Sequence, residues 1–482
     1  MTASPRRLPL WLALTLAFLS IVPARSGAQD GTLAVRDGEQ FLTLPCMNRS
    51  TISIVNVAPG AQVDIDVYND RGKVKRRHRN IDFGVDGVAD VDLSLPEGFI
   101  GSCVVTSDTP IATSVVRTNP GGSKTPIGLP PGPKGGSNYL GSLPFNEART
   151  VTSSALLWNP TPTPRAVDNF CNDADNNSIS VTHWDHAPYA NTLMDPSQSG
   201  PLPFLDLDAG CQQVFTPGGA PDDPQASSAY RVTDYANTGD RLVTPGGLLT
   251  ALLGRTQIAP FVYASEDGTA TTSLKIYNIG PGTAKVRLTA YKPSGKRAGK
   301  KRTVKVPESK SVVIDDANDF FSAEEIIIVT GTSAKPRTVV ESIVSIDTIA
   351  APQGRSSGEP QFGTALPTYT ADMAFADRAA IPALSFATGD EARIGVVNAG
   401  RKKTRARVQV IDSTGTTHLN RVVTIKKHGS ALIDLPPALA GLALHVLMDV
   451  LRGGPALAYA EEKRADGEIN LYAAQRYSDA LD

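Results

Sequence analysis

The stretch LKIYNIGPGTAKVRLTAYKPSGK, residues 274–296, carries the pattern that decides the fold. Leu274 and Ile276 alternate with Lys275, and Val286, Leu288 and Ala290 alternate with Arg287 and Thr289. Period two places one side of a strand on a core and the other in water. Asn278 with Gly280-Pro281-Gly282 forms the first punctuation and Pro293-Ser294-Gly295 the second, both of them turn chemistry. The strands continue through Thr303-Val304-Lys305-Val306 and Ser311-Val312-Val313-Ile314. Short strands separated by such turns predict a β-sandwich.

The same arrangement recurs as SIVNVAPGAQVDIDVYNDRGK at 53–73 and IGVVNAGRKKTRARVQVIDSTGT at 394–416, and in interrupted form as SALLWNPTPTPRAV at 154–167. In the three clean copies a glycine (Gly72, Gly295, Gly415) follows the asparagine after 16, 17 and 17 residues. An aspartate (Asp92, Asp315, Asp434) follows it after 36, 37 and 36. Such spacing over unlike residues predicts one unit, duplicated. The recurrent Asn56, Asn159, Asn278 and Asn398 read as turn-holding residues, and the glycines as positions that need φ > 0. SCVVTSDTPIATSVV from Ser102, EIIIVTGTSAKPRTVVESIV from Glu325 and ALHVLMDVLRGGPALAYAEE from Ala443 each read as two runs joined by a proline-containing turn, hence a hairpin. Six to seven strands per unit are expected.

Residues 1–28 read as a secretory signal, with Arg6 and Arg7 before the apolar run Leu8 to Val22 and a small-residue exit at Ser26-Gly27-Ala28. The run is too short to span a bilayer, and no later stretch reads as an integral membrane segment. The expected location is therefore secreted, extracellular or periplasmic. The full chain of 482 residues has a formal net charge of −1. A balance so mild argues against nucleic acid as a partner. The expected organisation is 29–118, sandwich 1; 119–138, a Gly/Pro-rich linker; 139–256, sandwich 2 with a long insertion; 257–349, sandwich 3; 350–364, a second linker; and 365–482, sandwich 4. In series, these predict an elongated array. All four cysteines, Cys46, Cys103, Cys171 and Cys211, lie in the first half. In an exported chain they read as disulfides Cys46–Cys103 and Cys171–Cys211, the pairing that keeps both bonds within a unit.

The order of strand, Asn, small-residue turn, alternating strand, Gly turn and strand ending in an apolar-Asp step resembles the Ig-like repeats of secreted bacterial surface proteins, of the CARDB and fibronectin type III kind. That resemblance implies tandem Ig-like antiparallel β-sandwiches acting as spacers, adhesive surfaces or appendages, and it carries over no catalytic residue. Unlike antibody-type domains, this chain has no tryptophan between Cys46 and Cys103.

Unit two is the outlier, because a long segment enclosed by Cys171 and Cys211 interrupts it. Asp173, Asp175 and Asn177 offer hard oxygen ligands for calcium, or form a solvated acidic turn. His183, Asp185 and His186 flank Trp184 and read as ligands for a metal or as an acid–base pair, although on a strand His183 and Asp185 share one face and His186 takes the other. Trp184 and Tyr189 suit an aromatic platform for a sugar or peptide, or pack beneath the loop. Two basic clusters follow equivalent turns: Lys75, Arg76 and Arg77 after Gly72, and Lys300, Lys301 and Arg302 after Gly295. They read as a stripe for a polyanion or as charges that guard sheet edges. The sequence lacks GxSxG, HExxH, P-loop and Rossmann signatures. The expectation is an exported non-catalytic protein of the cell envelope or exterior, structural or adhesive, binding a surface protein or glycan through loops of unit two. Carbohydrate or polyanion binding is the alternative, with a hydrolase in unit two behind it.

Overall fold

The computed structural model describes residues 40–476, with interruptions of which the longest are 128–136, 141–150, 195–209, 217–227, 263–270, 334–343 and 352–364. The expected leader at 1–28 and the calcium candidates Asp173, Asp175 and Asn177 lie outside the described residues. Within them the chain is almost wholly antiparallel strand, with one short helix, Ala317–Phe321, and one 3-10 turn, Pro437–Leu439. The strands fall into four units, at residues 40–127, 137–249, 256–370 and 378–476, with two sheets in each.

Numbered from the start of its own unit, every unit pairs its strands in one order. One sheet runs fourth–third–sixth–first, and the other runs fifth–second–seventh–eighth. In units two to four a ninth strand extends the first of these sheets. The interrupted copy around Asn159 is therefore a full member of the set. Eight or nine strands replace the six or seven expected, because very short strands sit in stretches that composition reads as linkers. Lys124–Ile127 pairs with Ile111–Thr118, inside the Gly/Pro-rich stretch 119–138. Its Pro126 is tolerated because this strand is outermost in its sheet, where a missing N–H breaks no ladder. Ala365–Leu366 and Tyr369–Thr370, just past the expected linker 350–364 and inside the stretch expected for sandwich 4, complete the sheets of unit three.

The proline-turn hairpins are not hairpins. Ile100–Ser107 pairs with the first and third strands of its unit, whereas Ile111–Thr118 pairs with the second and eighth, in the opposite sheet. Leu444–Arg452 and Ala456–Lys463 divide in the same way. Each run is a central strand with neighbours on both sides, so the turn between them carries the chain across the sandwich.

The cores follow from the alternation. In unit four, Ala406, Val408 and Val410 face Ile394, Val396, Ala456, Ala458 and Ala460 of the opposite sheet, closed by Tyr472. Buried Cys46 and Cys103 are bonded across the first and sixth strands of unit one. Cys171 and Cys211 stand opposite each other in the register of their strands.

In units two to four the recurrent asparagine ties the second strand to a distant turn. Asn398 Nδ2 donates to Lys402 O (2.7 Å), Lys426 O (3.1 Å) and Ile425 O (3.2 Å). Asn278 Nδ2 donates in the same pattern to Gly282 O, Val306 O and Pro307 O. Asn159 Nδ2 donates to Thr163 O, Ala187 O and His186 O. All three asparagines are buried, so their amides need partners from the protein, and these carbonyls supply them. Gly72, Gly295 and Gly415 have φ of +70°, +76° and +82° and close equivalent turns.

The units also dock on one another, and two of the junctions are copies. Between units one and two, the Gly72 turn lies against Pro188 O, Asn191 N donates to Asp70 O (3.1 Å), and the Tyr68 and Tyr189 rings are 4.6 Å apart. Between units three and four, the Gly295 turn lies against Lys427 O, Ser430 N donates to Pro293 O (3.0 Å), and Tyr291 stacks on His428 at 4.6 Å. Tyr189 and His428 both hold left-handed backbone, with φ of 57° and 58°.

The eighth strand of unit one touches the eighth strands of units two and four, and that of unit three touches the same two. Val55 and Ala112 of unit one pack with Ala380 and Leu447 of unit four. The elongated array is thus replaced by a closed cycle within residues 37–482, in which exchanging units one and two for three and four preserves the contacts of the eighth strands. Residues 456–460 read as an unbroken apolar run because both faces of the strand are covered there. Ala456, Ala458 and Ala460 face their own core, while Leu457 and Tyr459 pack with Ile258, Phe261 and Tyr369 of unit three.

Candidate functional site

Trp184, His183 and Asp185 lie on Ser178–His186, the outer strand of its sheet in unit two. His183 is exposed between two carboxylates, with Nδ1 2.6 Å from Asp168 Oδ1 and Nε2 3.5 Å from Asp185 Oδ1. The hydrogen bond to Asp168 raises His183 above the ordinary imidazole range, and both carboxylate charges add to it. Both ring nitrogens thus face carboxylates, an arrangement that favours the protonated form of the ring. His186 points the other way, buried, with Nε2 2.9 Å from Thr192 Oγ1. Burial lowers it to about 4, so it stays neutral.

The aromatic platform is not assembled. Tyr189 is 4% exposed, packs on Tyr68, and accepts a hydrogen bond on its carbonyl from Ser102 Oγ (2.6 Å). It belongs to the junction of units one and two because its turn must receive the Gly72 turn. Trp184 is half-buried on its strand. The sequence does carry a sign of this role. Tyr68 and Tyr291 both stand four residues before their turn glycines, whereas unit four has Ile411 there.

Both basic clusters sit on the fourth strand of a unit, at the outer edge of a sheet. Arg76 Nη1 donates to Leu93 O (2.5 Å) and Ser94 O (3.1 Å), reaching across the unit. Arg302 Nε donates to Phe320 O (3.0 Å), and its guanidinium lies 5.7 Å from the Phe320 ring centre. Arg77 lies 3.7 Å from Asp66, which also takes Arg79 Nη2 at 2.5 Å. These arginines tie the edges down, while Lys75, Lys300 and Lys301 remain exposed.

The junction of units one and two holds a cleft of about 800 Å³. Unit one supplies Lys75 and Arg76 from its edge strand, Asp70 from the Gly72 turn, and a wall running from Leu95 through Glu97 to Ile100. Unit two supplies Asn191, Thr192 and Leu193. The volume is that of a small-ligand or short-polymer site. Its lining is mixed, with cations, carboxylates, amides and the apolar Phe99 and Leu193. Sequence reasoning missed most of these residues, since Leu95–Ile100 and Asn191–Leu193 meet only when two units dock. Among the described residues no group of three or more His, Cys, Asp or Glu is placed to hold a metal ion.

No family model matches the sequence, and no curated protein matches it. Among solved structures, the chain aligns with SGBP-B of the Bacteroides ovatus mixed-linkage glucan utilization locus, solved in complex with a mixed-linkage heptasaccharide. The alignment has 12% identity over 90% of this chain and 98% of that chain, with a TM-score of 0.13. Likeness at that level carries no argument. Among the described residues no helix is long and apolar enough to cross a membrane.

Proposed function

We propose that this is an exported, non-catalytic binding protein of the cell envelope or exterior, whose four docked sandwiches frame a partner site in the cleft between units one and two. The observation that carries the reading is the cleft itself, with polar and apolar groups converging from two units on one concavity. The non-catalytic reading draws its support from the sequence, which carries none of the GxSxG, HExxH, P-loop or Rossmann signatures.

A photo-crosslinking residue at Leu193, on the cleft, tests this against the same residue at Leu451, on unit four. The two leucines are 37% and 42% exposed, so access alone does not separate them. Adducts of one or a few masses at Leu193, absent at Leu451 and suppressed by Lys75→Glu, are the expected result. Identical adducts from both positions remove the assignment.

A further inference from the structure

The internal copies show what is unusual about the cleft. Two sheet edges from different units line it: Val74–His78, outermost in its sheet of unit one, and Asn191–Met194, outermost in its sheet of unit two. A sheet edge presents main-chain donors and acceptors along one side and is a template for another strand. In unit three the strand equivalent to Val74–His78 is Arg297–Val306, and the helix Ala317–Phe321 packs against it. Phe320 O takes Arg302, and Gly299 sits so close to Phe321 O that a side chain there would collide with it. A helix over an edge is one of the ways in which proteins protect it. Unit one has the loop Leu95–Phe99 after its fifth strand, at the place of that helix, and here the loop is a wall of the cleft.

We infer that the edge strand Val74–His78 takes an extended, acidic polypeptide segment of a partner protein as an added strand, seated in the cleft against Asn191–Met194. Main-chain pairing of this kind supplies affinity, while side-chain pockets supply choice. The charge on the strand and its flanks sets the sign of the partner. Arg71, Lys73 and Lys75 are exposed there, with Arg76 and Arg77 beside them but engaged by Leu93 O, Ser94 O and Asp66, against Asp70 and Glu97 in the lining. Val74 and Leu193, among the exposed large apolar side chains of the molecule, stand on these two edges, ready to cover alternate side chains of an incoming strand. This inference rests on the cleft being the binding site proposed above.

The test uses the full chain and a fluorescein-labelled octapeptide of alternating Thr and Glu, followed by anisotropy. A second peptide has its two central threonines replaced by proline, which keeps the charge and removes main-chain donors. Saturable binding of the first peptide is expected, weakened about tenfold or more by the proline replacements and by Lys73→Glu with Lys75→Glu. It should be unchanged by Lys300→Glu with Lys301→Glu on the covered strand. Equal binding of the two peptides overturns strand addition, as does failure of the first to bind at millimolar concentration. Binding of polygalacturonate, reversed by Lys75→Glu, with no binding of either peptide, also overturns it while leaving the cleft as the partner site. Loss of the Leu193 adducts is a separate outcome that removes the cleft.

Discussion

Asn398 shows how much one side chain does in units two to four. Its amide serves three carbonyls of two turns while its Oδ1 accepts from Gly400 N (2.8 Å). Asn398→Ala leaves these groups buried without partners, which costs about 2–4 kcal/mol of stability, measurable by denaturant unfolding. Asn398→Asp should be nearly as costly, since a carboxylate cannot donate.

A second residue sets a pH dependence. Glu462 lies in the interior of unit four, accepting from Tyr472 OH (2.9 Å) and Asn470 Nδ2 (3.2 Å). Burial is the largest influence on it and raises it from 4.5 to about 7, against the lowering effect of those two donors. A carboxyl raised on folding holds its proton in the native state while the unfolded chain has already lost it. Its contribution to stability is therefore full below 4.5, falls as pH rises to about 7, and is flat beyond. Glu462→Gln is expected to abolish that slope and to raise the melting temperature at pH 8 relative to the parent, read by calorimetry at several pH values.

At the scale of elements, the decisive pieces are turns that dock into turns. Gly72 combines a left-handed φ with backbone contact across the junction, because a Cβ there would collide with Pro188 O. Gly282 and Gly389 also have positive φ, but nothing lies within 4 Å of a Cβ placed on them. Gly72→Ala should thus cost more than Gly282→Ala, which bears only the conformational penalty of roughly 1 kcal/mol. The excess should appear as faster hydrogen exchange at Tyr68 and Tyr189. The strands themselves were legible from alternation, since Val286, Leu288 and Ala290 point inward as their spacing demands. The neighbours of a strand were not. Ile100–Ser107 and Ile111–Thr118 look like a hairpin because adjacent apolar runs with a short turn usually are one, and only the partners already on both sides send them to opposite sheets.

At the scale of the molecule, units one and two form one half and units three and four the other. The halves hold each other through the cycle of eighth strands and the apolar contact of Val55, Ala112, Ala380 and Leu447. A protease site inserted between Leu249 and Thr256 is expected, after cleavage of the folded protein, to leave both halves in one gel-filtration peak. Separation without denaturant would show that the cycle does not hold without the chain connection.

Repetition, strand content and edge charges were written in the residues, because period two, turn glycines and lysine-rich edges are local consequences of backbone geometry and solvation. The candidate site was readable only in part: Lys75 and Arg76 drew notice as charges, while Asp70, Glu97, Phe99 and Leu193 carried no mark. Local pattern records which face of a strand is apolar but not what covers it. Which turns interlock, which edge stays bare and where a cleft opens depend on contacts between residues far apart in the chain, and these exist only once the four units have packed.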